Sequence, residues 1–501
     1  LYAWASQHKF RPGEEHGSAR WGEPRDMAPF TDPDPKRNLQ FTRTEGLALD
    51  THATRRNLNA LVVGGSGSGK TRSYVMPNLL NASMNWVATD PKGELMRATA
   101  PALREADPKY RVRAFDLVDP ASSCHFNPMA YINPDSPETS ILQLVENLVT
   151  NTDGTKKDQG DPFWSKAERA LLNALVAWTW FLADNPNLPA VCDMVADMEA
   201  SEQDETKMSI IDARMAAAKE LLDELAKGTP DWVGGMDRRQ LDRIADGLRF
   251  AVSQYRTFLQ GAGETKKSII ISVGVRLAPI QVRQIRDLLE SDDIDLHAIG
   301  RERTAIYMII PDTHATFNFL AAVFYQSLFE TLIYDADHAE GGHLDIPLHC
   351  MLDEFANIGR IPNFERLIAT IRSRGVSVSV VLQNIAQGKA LYERQWETIE
   401  GNCDSMLFLG GSEQSTTEWI SKRLGAETID TRSVGESRGS TGSWSVNIQQ
   451  SRRELLTPDE VARLDTDHCI YMLRGLPPFR SLKIDPGRPI ARPKSTLRHA
   501  K

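Results

Sequence analysis

The sequence is short of several things, and each absence narrows the reading. A membrane-spanning helix needs about 20 mostly apolar residues, and no run in the 501 residues reaches that length. The nearest, 170–183, "ALLNALVAWTWFLA", carries Asn173 and Thr179 and reads as a buried soluble helix. A secretory signal is missing too. Cysteine is scarce: Cys124, Cys192, Cys350, Cys403 and Cys469 are scattered, with no CxxC and no histidine pair at zinc spacing. That pattern fits reduced cytosolic thiols and excludes a disulfide framework. Basic excess is also missing. The net charge is −9, so any nucleic-acid contact must be a local stripe or an assembled channel. What remains is an ordinary globular composition, 41% hydrophobic and 25% charged, in a chain too long for one core.

Along the chain the texture changes several times. Residues 1–57 are rich in Pro, Gly and charge and read as an extended N-terminal arm. Short apolar runs at 60–63, 85–90 and 110–116 predict strands. From 138 to 297 the apolar spacing is helical, as in "AERALLNALVAWTWFL", which predicts an all-α domain. Strand patterns return at 304–310, 348–353, 377–383 and 405–410, with helices expected at 315–333, 361–374 and 412–424. Strands alternating with helices predict an α/β fold with a mostly parallel sheet. The stretch 431–453 is Ser- and Gly-rich and reads as a loop, either lining a channel through Arg432, Arg438, Arg452 and Arg453 or lying on the surface. Residues 468–475 and 480–485 look like a closing strand pair, and 486–501 like a tail. The expected division is therefore 1–57 arm, 58–137 first part of a nucleotide-binding core, 138–297 inserted helical domain, 298–485 second part of the core, and 486–501 tail.

The chemistry is concentrated at a few places. "GGSGSGKT" places Gly64, Gly65, Ser66, Gly67, Ser68, Gly69, Lys70 and Thr71 in the pattern G-x-x-x-x-G-K-[ST] between a strand and a helix. Such a loop turns backbone N–H groups toward phosphate oxygens. Lys70 is expected to reach the β- and γ-phosphates of ATP, and the Thr71 hydroxyl to hold Mg²⁺. Asp353 and Glu354 end an apolar strand, "LHCMLDEF". An unpaired buried acid is costly, so Asp353 is expected at the Mg²⁺ and Glu354 as the base that deprotonates the attacking water. Asp353 follows Lys70 by about 280 residues; the helical block accounts for that excess. Gln383 ends the next strand and is expected to touch the γ-phosphate. Arg372 and Arg374 sit in "IRSRG", and Arg372 is the candidate for stabilising phosphate charge, a role often filled from a neighbouring subunit. In "TDPKGE", Asp90 and Lys92 read either as nucleotide neighbours or as part of a plain turn.

These residues resemble the TraG-type coupling ATPases of type IV secretion. The likeness runs through "HGSARWG" (16–22), "TDPKGE" (89–94), "DPFW" (161–164), "LDEFANIGRIPNFE" (352–365), "ATIRSRG" (369–375), "LQN" (382–384) and "LLTPDEVARL" (455–464). The resemblance implies a RecA-like P-loop NTPase core, the inserted helical domain and a homo-hexameric ring. It implies an ATP-driven protein that brings DNA with its relaxase, or protein substrates, to the components of a secretion channel. Contacts to DNA are then expected to be sequence-independent. The alternative is a nucleotide-gated docking protein without processive translocation. The resemblance also implies an N-terminal transmembrane anchor, absent from this sequence, and a place at the cytoplasmic face of the bacterial inner membrane.

Overall fold

The computed structural model describes residues 11, 13–152, 162–198, 208–227, 238–260, 263–437, 443–486, 490 and 495–497. Residues 1–10 of the expected arm, Asp161 of "DPFW", Arg438 and most of the 486–501 tail lie outside them. The strands are β1 (Asn38–Gln40), β2 (Gly46–Ala48), β3 (Ala60–Val63), β4 (Asn85–Pro91), β5 (Arg111–Asp116), β6 (Thr304–Ile310), β7 (Leu348–Leu352), β8 (Val376–Leu382), β9 (Ser405–Phe408), β10 (Ala426–Ser437), β11 (Ser443–Glu454), β12 (His468–Leu473) and β13 (Phe479–Leu482).

Two compact units divide the chain. The first comprises Leu1–Ser83, His349–Ala356 and Ser377–Lys501. Its main strands are ordered β13-β12-β9-β3-β8-β7. β3 runs parallel to both β8 and β9, while β12 closes the edge antiparallel to β9 and β13. β3 is buried along its whole length, as expected of a strand covered on both faces. A polar chain crosses this apolar layer. The Tyr74 hydroxyl meets Ser379 Oγ at 2.6 Å, Ser379 Oγ meets His349 Nε2 at 2.7 Å, and His349 Nδ1 meets Ser377 Oγ at 2.7 Å. Burial pushes the His349 imidazole down to about 3, so it stays neutral.

The arm is not simply extended. β1 and β2 form an antiparallel pair, with Leu39, Phe41 and Leu47 fully buried. "HGSARWG" lies against the same unit. Ala19 N–H donates to the Ala426 carbonyl and Gly22 N–H to the Pro478 carbonyl. A Cβ on Gly17 would stand 2.1 Å from the Ala426 oxygen, and one on Gly22 would stand 2.5 Å from the Phe479 ring. Both glycines permit a close approach that a side chain would block.

The 431–453 stretch departs from the loop expectation. β10 and β11 form a twelve-pair antiparallel ribbon, from Ala426↔Glu454 to Ser437↔Ser443. Alternating Ile429, Thr431 and Ser433 opposite Ser451, Gln449 and Asn447 suit a two-stranded ladder without a core face. Val434, Val446 and Ile448 remain exposed.

The second unit comprises Met84–Leu348 and Asn357–Val376. β4, β6 and β5 lie side by side in that order, all parallel. The described residues from Pro137 to Leu289 are helical, without a strand, and include Pro137–Thr152, Pro162–Leu182, Ile210–Lys227, Arg238–Phe258 and Gly263–Leu277. The long helix Asn318–His338 carries fourteen buried residues. It is apolar nearly all round, as a helix enclosed by its own unit must be. The five cysteines are free thiols.

Candidate functional site

The glycine loop begins where β3 ends. Gly64 N–H donates to the Leu382 carbonyl and Gly65 N–H to the Gly410 carbonyl, tying the loop to the ends of both flanking strands. Gly67 (φ +74°) and Gly69 (φ +89°) take the left-handed backbone that glycine adopts without strain. A Cβ on Gly67 would meet nothing within 4 Å, so its left-handed backbone rather than crowding is what favours glycine there. A π-helical turn, Thr71–Val75, leads into the helix Met76–Leu80; such turns recur at functional sites.

Lys70 is buried. Its Nζ donates to the Gly64 carbonyl at 2.9 Å and the Gly65 carbonyl at 3.4 Å, and stands 3.7 Å from Glu354 Oε1. Thr71 Oγ1 donates to Asp353 Oδ2 at 2.7 Å. Two groups about 280 residues apart in sequence therefore meet directly. Asp353 Oδ1 accepts from the Glu354 N–H at 3.0 Å. Burial, the largest cause, pushes the Asp353 carboxyl up to about 6 against the pull of the Thr71 hydroxyl. Glu354 adopts φ +49°, a left-handed conformation uncommon for a residue with a side chain. Its Oε2 accepts from Gln383 Nε2 at 3.1 Å. The Gln383 backbone N–H is in turn held by Gln387 Oε1 at 3.0 Å.

The residues present suit a magnesium nucleotide. The loop leaves the Ser68 hydroxyl buried without a partner. Thr71 and Asp353 supply hard oxygens of the kind Mg²⁺ takes. A buried carboxyl with a raised pKa would be relieved by a nearby cation. Lys70 supplies the positive charge for phosphate.

The first unit therefore brings together the glycine loop, Lys70, Thr71, Asp353, Glu354 and Gln383. Arg372 belongs to the second unit, exposed on the 3₁₀ turn Ile371–Arg374. Its neighbour Arg374 is already committed to Asp337, at 2.7 and 2.9 Å. Asp90 and Lys92 also belong to the second unit and serve the turn. Asp90 accepts from the Leu95 and Met96 N–H groups at 3.0 and 2.7 Å, capping the helix Glu94–Ala106. Lys92 pairs with Asp312 at 2.9 Å.

Lys483 escaped the sequence reading. Its Nζ donates to the Ser68 carbonyl at 2.9 Å, putting a second ammonium on the loop, and burial lowers its pKa. The signal available was a single lysine following the closing strand pair. That position becomes informative only once β12 and β13 are known to stand at this edge.

Comparison with known proteins gives a consistent picture. The family model for type IV secretory system conjugative DNA transfer matches residues 35–485. Protein VirD4 of Agrobacterium fabrum (strain C58 / ATCC 33970) is 23% identical over 486 residues, covering 95% of this chain and 66% of the relative. Conjugal transfer protein TraG of Escherichia coli is 24% identical, covering 90% and 71%. The chain thus spans about two thirds of the length of these relatives. Among solved structures, plasmid coupling protein TrwB in complex with ADP and Mg²⁺ superposes with a TM-score of 0.65 at 12% identity, covering 97% of this chain and 98% of that one. The unbound TrwB form gives 0.63 at 12% identity. Likeness at that identity establishes the fold, an α/β core with a mostly parallel sheet and a helical domain.

Proposed function

The chain belongs to the type IV secretory system conjugative DNA transfer family, and from that premise we propose that it is an ATPase that couples secretion substrates to a type IV channel. It recruits DNA with its relaxase, or protein substrates, and drives them onward as a homo-hexameric ring at the cytoplasmic face of the inner membrane. No described helix is long and apolar enough to cross a membrane. The TrwB structures were obtained with ADP and Mg²⁺ and with a non-hydrolysable ATP analogue; the same ligand class is assigned here to the glycine loop.

The observation that carries this reading is the meeting of Thr71 with Asp353 and of Glu354 with Lys70 and Gln383. Thr71 and Asp353 would hold Mg²⁺, which when bound neutralises phosphate charge. Backbone N–H groups of Gly67, Gly69, Lys70 and Thr71 and the Lys70 ammonium orient the triphosphate. Glu354 takes a proton from the attacking water as its oxygen bonds to the γ-phosphorus and the bond to the β–γ bridging oxygen breaks. The Gln383 amide keeps the Glu354 carboxylate in place and is the group positioned to sense loss of the γ-phosphate.

Arg372 completes the site from a neighbouring subunit. Its exposure on the Ile371–Arg374 turn supports that choice. Mixing inactive Arg372→Ala and Lys70→Ala chains is expected to restore part of the hydrolysis, since some interfaces then carry both intact groups. A mixture as inactive as either parent would remove Arg372 from the site.

The function is tested by measuring ATP hydrolysis across protein concentrations, with and without single- and double-stranded DNA. The rate per chain is expected to rise with concentration as rings form and again with DNA of any sequence, the DNA effect fading with salt. A flat rate, blind to DNA, would overturn the translocase reading and leave the nucleotide-gated docking protein.

A further inference from the structure

A cavity of about 830 Å³ opens in the second unit beside the helix Asn318–His338. That size lies within the roughly 300–1,000 Å³ of small-molecule sites. Its walls are largely apolar, formed by Met129, Ile132, Trp180, Ile333, Ile361 and Leu367 among others. Two polar groups on consecutive residues of its lining are unspent.

Thr331 is only 4% exposed, yet its buried Oγ1 has no hydrogen-bond partner. A helical threonine usually returns its hydroxyl to a carbonyl in the preceding turn; this one does not. Beside it, Glu330 Oε1 accepts from Gln326 Nε2 at 2.8 Å. Burial pushes the Glu330 carboxyl up to about 7, against the opposing Gln326 bond.

Glu330 has no cationic partner among the described residues. The other lining carboxylate, Asp337, is taken by Arg374. Of the lining bases, His297 is held by Asp335, His338 Nδ1 meets the Tyr334 carbonyl at 2.8 Å, and Arg366 is exposed.

The donor on Glu330 is itself fixed. Gln326 Oε1 accepts from Asn147 Nδ2 at 2.5 Å, and Asn147 Oδ1 from Asn151 Nδ2 at 2.8 Å. Asn151 also exchanges hydrogen bonds with both backbone groups of Arg360, at 2.7 and 2.9 Å. The amides thus orient the carboxyl rather than saturate it.

We propose that this cavity binds a small organic amine, its apolar body against Met129, Ile132, Trp180 and Leu367 and its ammonium donating to Glu330.

The test is a calorimetric titration of the full chain with tryptamine, an indole bearing a primary ammonium. Indole-3-propionate, the same ring with the opposite charge, is the counter-probe. Saturable one-site binding of tryptamine is expected, and none of the counter-probe. Glu330→Gln should weaken tryptamine about tenfold, the scale of a charged hydrogen bond, while Thr331→Val, whose hydroxyl is sealed from the cavity, should leave it unchanged. No binding of tryptamine at millimolar concentration, equal binding of the two probes, an affinity unchanged in Glu330→Gln, or displacement by ADP would each overturn the assignment. If Glu330→Gln fails to fold, the charge-reversed probe decides it.

Discussion

Glu354→Gln is expected to yield a protein that binds ATP and keeps it. The substitution preserves the size of the side chain and removes its ability to accept a proton from water. General-base catalysis contributes about 10²–10⁴-fold, so the hydrolytic rate should fall by that order. Nucleotide affinity should change little, because the loop, Lys70, Thr71 and Asp353 are untouched. The left-handed backbone at residue 354 (φ +49°) is no harder for glutamine than for glutamate, so folding should survive. Rapid mixing with radiolabelled ATP, followed by separation of bound nucleotide, measures both quantities together: the substituted chain should retain intact ATP where the native chain retains ADP. Native-rate hydrolysis would show that Glu354 is not the base. Weak binding accompanied by slow hydrolysis would show instead that it holds the nucleotide.

The sequence carried this site unusually far because its parts are local signals. β3 is an apolar run closed by glycines, and its observed bounds, Ala60–Val63, are those of the run. The acid pair is readable because a fully apolar strand ends in two carboxylates. Thr71 and Asp353 were each expected at one Mg²⁺, from the glycine-loop pattern and from the acid ending an apolar strand; their direct hydrogen bond was not. Other features depend on partners that no local pattern names. The β10–β11 ribbon is built from Ser, Thr, Gly and scattered Ile and Val, and its strands pair with each other rather than with a core. Composition therefore suggested a loop where cross-strand pairing makes a ladder. Lys483 belongs to the phosphate loop through a contact to Ser68 across more than 400 residues of chain. Glu330 sits on a helix with so many apolar positions that nothing in its spacing marks a carboxyl as lining a cavity.

Lys70→Ala should have the opposite signature to Glu354→Gln: it should lose the nucleotide itself. The Lys70 ammonium is buried and held by two loop carbonyls, with Glu354 as its nearest carboxylate. Removing it deletes charged hydrogen bonds worth about 1.5–3 kcal/mol each, which for two phosphate contacts corresponds to about a hundredfold or more in affinity. It also leaves the Glu354 carboxylate without that cation, close to where a triphosphate would sit, adding repulsion to the loss. Stability should suffer far less, since a buried ammonium carries a desolvation cost that alanine does not. Titration with a fluorescent ATP analogue, alongside a thermal melt, separates the outcomes. Affinity down about a hundredfold with an unchanged melt identifies the loop as the phosphate site. Native affinity would move that site elsewhere. If both substitutions behave as expected, binding and bond cleavage are assigned to different side chains standing only 3.7 Å apart. The glycine loop would then hold the nucleotide, and the acid at the end of β7 would spend it.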